Sequence, residues 1–505
     1  MLARFPFGLF ALLWAQGSFL SAHEVQVRIL DPEGAYTIPA WCSIEDPAGR
    51  PCFPRPETGE RSPTWSRLRP EDRSGSAPEE GIFFTSGVFT IDLRSNRAYR
   101  IAVRRGLEWL PLESEFRVTP QDEVVDISLT PWIRMHDRRW YSGDLEAHLT
   151  VEETPLALDA AGLNVVCRMI PSPTETLDPD RASREKIHHL GGDRAFSGAG
   201  RPFEDFNVLG LERGIPRAET PFTATDLHWM KHAKEAGGFL EVTRPAGEEV
   251  PLAAALGLID CLRLAGPSRT ARDETAEVLD RFEAYYRLLN CGFHIPVSGA
   301  SGAGRRGLAP QETGSAATFV KFSHAFSYGM FLQRLREGVS WAGNGPAISL
   351  LVNGRFPGHV FKVPPDAKVK ISVGARSPRP IDRLELVRNG KIVASIPGSA
   401  TEQHVVREFV EPVGDGGWTA ARVFEKRRAP GDRLRYAHSS PIYIEVENTF
   451  PVEREQADRF AEDLRKKMDA IREDPETADD EKAWILEAHG RGLEALAANS
   501  GLLAP

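Results

Sequence analysis

The sequence predicts a multidomain chain that runs from all-β through mixed α/β and back to all-β, closed by a helical hairpin. Three observations carry this. Apolar residues alternate with polar ones near both ends of the body, the mark of half-buried strands. Helical and strand-like patterns alternate in the middle, which argues for an α/β unit with largely parallel strands. From Glu453 onward, apolar residues recur at helical spacing on both sides of an Asp474-Pro475 break. At 505 residues the chain exceeds one hydrophobic core.

Residues 23–133 read as a first β-sandwich. Val25 to Ile29, Val88 to Leu93, Tyr99 to Val103 and Val124 to Leu129 alternate and are separated by turn residues. Residues 54–80 are rich in Pro, Ser, Arg and Glu and read as an exposed loop. Residues 134–346 are the mixed unit. Helices are expected at 155–161 and at 226–236, the second ended by Gly237-Gly238. A third carries Val278, Leu279, Phe282, Tyr286 and Leu289, with Gly292 as its left-handed cap. Strands are expected at 163–167, 239–242, 258–262 and 293–297, and the polar stretch 178–200 reads as an insertion. Residues 347–450 read as a second sandwich. Arg388-Asn389-Gly390-Lys391 is its strongest turn signal, because Asn-Gly accepts the positive φ angles of a type I′ hairpin. Residues 451–505 are the helical tail.

The first 22 residues have the form of a signal peptide: Arg4, an apolar stretch from Phe5 to Ala15, and small residues Ser21-Ala22. Export to a secreted or periplasmic location is expected, with no further membrane-crossing segment. Under oxidising conditions Cys42 and Cys52 can bridge across the Asp46-Pro47-Ala48-Gly49 turn; the other three cysteines read as buried apolar residues. The net charge of −9 and pI near 5.9 argue against nucleic acid as a partner. A small-molecule ligand or substrate is expected, of unspecified identity.

The most informative run is Tyr141-Ser142-Gly143-Asp144-Leu145-Glu146-Ala147-His148. Residues two apart on a strand share a face, so Glu146 and His148 project together and can clamp a metal or act as a base with its partner. Other candidates are weaker. His188-His189 lies in polar sequence and its side chains face opposite ways. His228 and His232 share a helix face but lack the intervening Glu of a zincin. The Gly-rich run from Gly299 can cradle an anion but is no P-loop, and Ser298 and Ser301 sit in no nucleophile elbow.

That run resembles the "sGDLHxH" motif of CehA/McbA-type metallohydrolases, a branch of the PHP (polymerase and histidinol phosphatase) superfamily. Tyr285-Tyr286-Arg287-Leu288-Leu289-Asn290-Cys291-Gly292 with Ile295-Pro296, Gly299-Ala300-Ser301-Gly302, Phe326-Ser327-Tyr328, Leu335-Arg336-Glu337-Gly338 and Asn344-Gly345-Pro346 resemble further blocks of one exported subgroup, in order, over about residues 138–360. The resemblance implies a distorted (β/α)7 barrel, a divalent metal (Zn or Mn) at the strand ends, and hydrolysis of ester-type bonds by metal-activated water. Most ligand positions are substituted. The first His of the pair is Glu146, the "TDH" is Met169-Ile170-Pro171, the "HP" is Arg244-Pro245, the "E" falls near Arg263, and the closing "SDxH" is Ser301-Gly302-Ala303-Gly304. Glu146 and His148 remain as catalytic or metal-ligating candidates. Asp144, Arg244, Arg263 and Ser301 are ligand-binding candidates, because a guanidinium can take a cation's place beside an anion but cannot acidify water. The expectation is a degenerate site, its metal chemistry reduced or lost, that binds a ligand or serves structure. The alternatives are an active hydrolase rewired around Glu146 and His148, and an extracellular binding or scaffold protein.

Overall fold

The computed structural model describes residues 22–55, 65–67, 81–169, 187–203, 205–211, 226–267, 273–305, 312–399, 401–429 and 432–499. The expected signal peptide lies outside the described residues except for Ala22, and so does most of the loop expected at 54–80. The protein is mixed α/β and mostly sheet, with several sheets and seven α-helices among the described residues.

Near the N-terminus, a three-stranded sheet sets Ala22–Leu30 between Val88–Arg94 and Val124–Ser128. A second sheet is built on Ala40–Glu45, Arg97–Arg104 and Leu112–Val118. Alternate residues of both sheets, among them Val25, Val27, Ile44, Phe83, Ile91 and Ile101, fill the core between them. The expected Cys42–Cys52 bridge is corrected here. The turn through Gly49 sets Ile44 opposite Cys52, whereas Cys42 pairs with Phe83 and Val103 and is buried; both thiols are free. The turn is held by Asp46, which accepts from the amides of Ala48 and Arg50 at 2.8 and 3.0 Å, so the register is fixed locally.

The central sheet begins with Trp140–Ala147, buried along its whole length. Val165–Met169 pairs parallel to it, and Ala195–Pro202 pairs parallel to that. The second of these strands corrects the reading of 178–200 as an insertion: Ala195, Phe196 and Ser197 are buried in the sheet despite the polar sequence around them. His188 belongs to a short antiparallel strand, Ile187–His189, and stacks on Phe196 with ring centroids 4.4 Å apart. Phe206–Leu209 then runs antiparallel, followed by the parallel series Phe239–Val242, Cys261–Ala265 and Val297–Gly299. Two of these start later than expected. Asp260, expected inside a strand, instead anchors the entrance to one: its carboxylate accepts from the Leu240 amide at 2.7 Å and from Lys234. Residues 293–295 stay outside the ladder, where His294 stacks on Tyr443 at 3.7 Å; Pro296 has no amide hydrogen to give, and only its carbonyl joins, accepting from the Leu262 amide at 2.9 Å.

On its other side Trp140–Ala147 pairs antiparallel with Ala317–Lys321, and that with Ser340–Gly343. The sheet curls until Val297–Gly299 meets these strands. The contact is made through side chains rather than a ladder: Thr318 Oγ1 accepts from the Gly299 amide at 2.7 Å and donates to its carbonyl at 2.9 Å. Hydrogen bonding also runs on past residue 346. Tyr436–Ser439 pairs with Ser340–Gly343 and leads to Gly417–Glu425, Ile381–Arg388 and Lys391–Pro397. The C-terminal β unit is therefore this extended sheet faced by a three-stranded one, Ala347–Val352, Lys368–Arg376 and His404–Pro412. Its Asn389-Gly390 turn has φ of 49° and 79°, as the type I′ reading requires.

The helices follow their signals closely: Glu153–Ala160, Asp226–Glu235 and Glu274–Asn290, the last capped by Asp273 and ended by Gly292 at φ 83°. The tail forms two helices, Arg454–Glu473 and Asp479–Asn499. They pack on the body through Ala457, Leu464 and Leu496, with Gly492 against Leu252 where a Cβ would come within 2.5 Å of that side chain. No described helix is long and apolar enough to cross a membrane.

Candidate functional site

Strand register brings the site together. Asn207 lies opposite Glu241, Val242 is in register with Leu262, and Arg263 with Ser298. Alternation then points Asn207, Glu241, Arg263 and Ser298 to one side of the curled sheet, and Glu146 reaches them from Trp140–Ala147. All five are buried: Glu146, Glu241, Asn207 and Ser298 at 0 % exposure and Arg263 at 3 %.

Arg263 is the centre. Its Nη1 donates to Glu146 Oε2 and its Nη2 to Glu241 Oε2, while its Nε donates to Glu241 Oε1 at 3.1 Å. Asn207 Nδ2 bridges the two acids, donating to Glu146 Oε2 at 3.2 Å and to Glu241 Oε2 at 3.1 Å. Ser298 Oγ donates to Glu241 Oε1 at 2.7 Å. On the outer side, His148 Nε2 meets Glu146 Oε1 at 2.9 Å, and Arg305 Nη1 donates to the same oxygen at 3.1 Å. Every carboxylate oxygen of Glu146 and Glu241 thus receives at least two donors, the condition under which buried charge is tolerated.

The electrostatics follow. Burial alone pushes the Glu146 carboxyl up, but Arg263, His148 and Arg305 outweigh it and hold it well below the ordinary carboxylate range. Burial pushes Arg263 down, and Glu241 with Glu146 more than reverses this, so the guanidinium is firmly charged. Glu146 is therefore a poor general base, with its lone pairs committed and its proton affinity low.

Asp144 and Ser301 form a neighbouring lock. Asp144 Oδ1 accepts from the Ser301 amide at 2.9 Å and the Glu146 amide at 3.2 Å; Oδ2 accepts from the Gly314 amide at 2.9 Å and from Ser301 Oγ. Burial pushes Asp144 up to about 6 against these four donors. The Gly-rich run does cradle an anion, but the anion is the protein's own Asp144. Gly304, at φ 73°, lies where a Cβ would come within 2.4 Å of the His148 carbonyl, so only glycine lets this loop close over the strand end and deliver Arg305.

Of the sequence candidates, Asp144, Glu146, His148, Arg263 and Ser301 converge. Arg244 does not join them: its guanidinium pairs with Asp205 at 3.0 Å and is two-fifths exposed. The reading of Arg244 as a second inward cation is corrected, because the strand ends at Val242 and the chain has turned outward by residue 244. Arg305 supplies that second cation instead. Sequence reasoning also missed Glu241, Asn207 and Ser298. Glu241 had a signal: it is the one charged residue in the buried run Phe239-Leu240-Glu241-Val242.

Cys167 lies nearby, with Sγ 3.4 Å from Tyr328 Oη, but burial pushes its thiol up to about 12, which removes it as a nucleophile near neutral pH. Among the described residues no group of three or more His, Cys, Asp or Glu side chains is placed to hold a metal ion. The residues of this centre do not fit one, since the guanidinium stands between the two acids.

No family model matches the chain, and no curated protein matches it. Among solved structures, the β-glucuronidase of Parabacteroides merdae aligns with 81 % of this chain and 60 % of its own, at 8 % identity and a TM-score of 0.17. This chain thus spans about three-fifths of that enzyme's length, and so slight a likeness carries no argument about fold or function.

Proposed function

We propose that this protein is an exported CehA/McbA-like relative of the PHP metallohydrolases in which an arginine has replaced the catalytic metal, and that it works as a binding or scaffold protein rather than as a hydrolase. In this reading the curled central sheet is the family's distorted (β/α)7 barrel. The single observation that carries the proposal is the Arg263 guanidinium, buried between Glu146 and Glu241 and bonded to both. A fixed guanidinium supplies the positive charge that keeps two acids ionised inside a sheet. It offers no open coordination position and no water of lowered pKa, so the chemistry that a metal brings to this family has no carrier here.

The support is chemical as well as geometric. A hydrolase using Glu146 as base would need its lone pairs free, and they are taken by Arg263, Asn207, His148 and Arg305. The test is elemental analysis of the purified full chain beside its Glu146→Gln variant, with turnover assays on aryl phosphate, ester and carbamate substrates. No metal dependent on Glu146 and no turnover are expected. About one transition metal per chain that disappears in Glu146→Gln, or metal-dependent turnover lost in that variant, overturns the reading.

A further inference from the structure

His228 and His232 lie one turn apart on the Asp226–Glu235 helix, at the seam where the tail hairpin docks. Their Nε2 atoms approach to 2.9 Å. His228 is buried, and its ring sits edge-on to Trp484 of the tail with centroids 5.2 Å apart. His232 stays one-third exposed, so the pair can be reached from solvent. On the far side of the His232 ring, Nδ1 faces Glu235 Oε2 at 3.4 Å.

We infer that His228 and His232 form a binding site for a divalent late transition-metal ion, of which Cu²⁺ is the best match, at the junction of the body and the tail. An imidazole nitrogen sits about 2.0–2.1 Å from such a metal, so two nitrogens 2.9 Å apart subtend about 90° at a shared ion. That is the angle between neighbouring ligands in a tetragonal site, the geometry Cu²⁺ favours with nitrogen donors. On the distal side of the His232 ring the Glu235 carboxylate lies within ion-pair distance, the side from which an acid favours the tautomer that leaves Nε2 to a metal.

With His232 protonated on Nδ1, His228 holds the one proton between the two Nε2 atoms. The metal takes that proton's place, and the proton moves to the other nitrogen of the His228 ring. No third His, Cys, Asp or Glu among the described residues completes a three-donor group.

The test uses the full chain without a polyhistidine tag, stripped with chelator and titrated with Cu²⁺. One equivalent is expected to bind, with an electron paramagnetic resonance spectrum showing two imidazole nitrogens and quenching of tryptophan fluorescence from Trp484. His232→Gln, at the part-exposed position, is expected to weaken binding at least tenfold while the fold stays intact by circular dichroism; His228→Gln is expected to do the same. Absence of a saturable equivalent, affinity unchanged in His232→Gln, or a spectrum without coupled nitrogens overturns the inference. Metal held here depends on His232 and not on Glu146, so this result and that of the Arg263 centre are read separately.

Discussion

Replacing Arg263 by Met removes the charge while keeping a stem of similar length. The structure says which partner suffers. Glu146 keeps Arg305, His148 and Asn207, whereas Glu241 keeps only Asn207 and Ser298 among the bonds described. Breaking a buried ion pair from one side costs about 3–5 kcal/mol, because the other charge stays behind without compensation. For a unit of this size that is a drop in Tm of roughly 6–20 °C. Differential scanning fluorimetry of the full chain at neutral pH measures it. The second half of the experiment is the rescue: Glu241→Gln added to Arg263→Met recovers at least ~2 kcal/mol of the loss, and Glu146→Gln added to Arg263→Met recovers less, since Arg305 still neutralises Glu146. A loss under ~1 kcal/mol in Arg263→Met, or equal rescue by the two glutamines, refutes the reasoning.

Three further outcomes are expected. The Glu146 carboxyl titrates below its ordinary value of 4.5 in the folded chain, so its contribution is complete above pH 4.5 and is lost as the pH falls through the lower folded value; the Tm advantage of the wild type over Glu146→Gln is then constant near neutrality and shrinks in acid, and an advantage that grows on acidification rejects this. A Cβ at Gly143 would stand 2.6 Å from the Phe331 ring and 3.2 Å from Val165 Cβ, so Gly143→Ala costs about 1–3 kcal/mol by chemical denaturation, with partial recovery by Phe331→Leu; an unchanged midpoint shows that this packing is not tight. Native alkylation followed by mass spectrometry modifies Cys52 ahead of the four buried cysteines, Cys42, Cys167, Cys261 and Cys291; a Cys42–Cys52 disulfide in the peptide map contradicts the register of the first hairpin.

Local structure was legible wherever a residue's own backbone preference decides the outcome. The Asn389-Gly390 turn, the Asp226–Glu235 helix before Gly237-Gly238, and the Gly292 cap all lie where the sequence points, because positive φ and helix termination are paid for within a few residues. The strand Ala195–Pro202 was not legible. Its sequence is Gly-rich and weakly apolar, and only pairing with Val165–Met169 makes it a strand. The seam at residue 346 was hidden for the same reason: Tyr436–Ser439 joins Ser340–Gly343 through a ladder between residues almost a hundred positions apart.

The centre divides along the same line. That Glu146 and His148 share a face is a property of one strand, and alternation along the chain sufficed to state it. That Arg263 turns inward while Arg244 turns out depends on where two strands end, and the pairing of Glu241 with Arg263 depends on parallel register between neighbours. Sequence alone determined which side chains were available and which lay side by side on one element. Tertiary structure decided which charges meet, because ions buried without a partner are too costly to keep, and partners are assigned by register across the sheet rather than by distance along the chain.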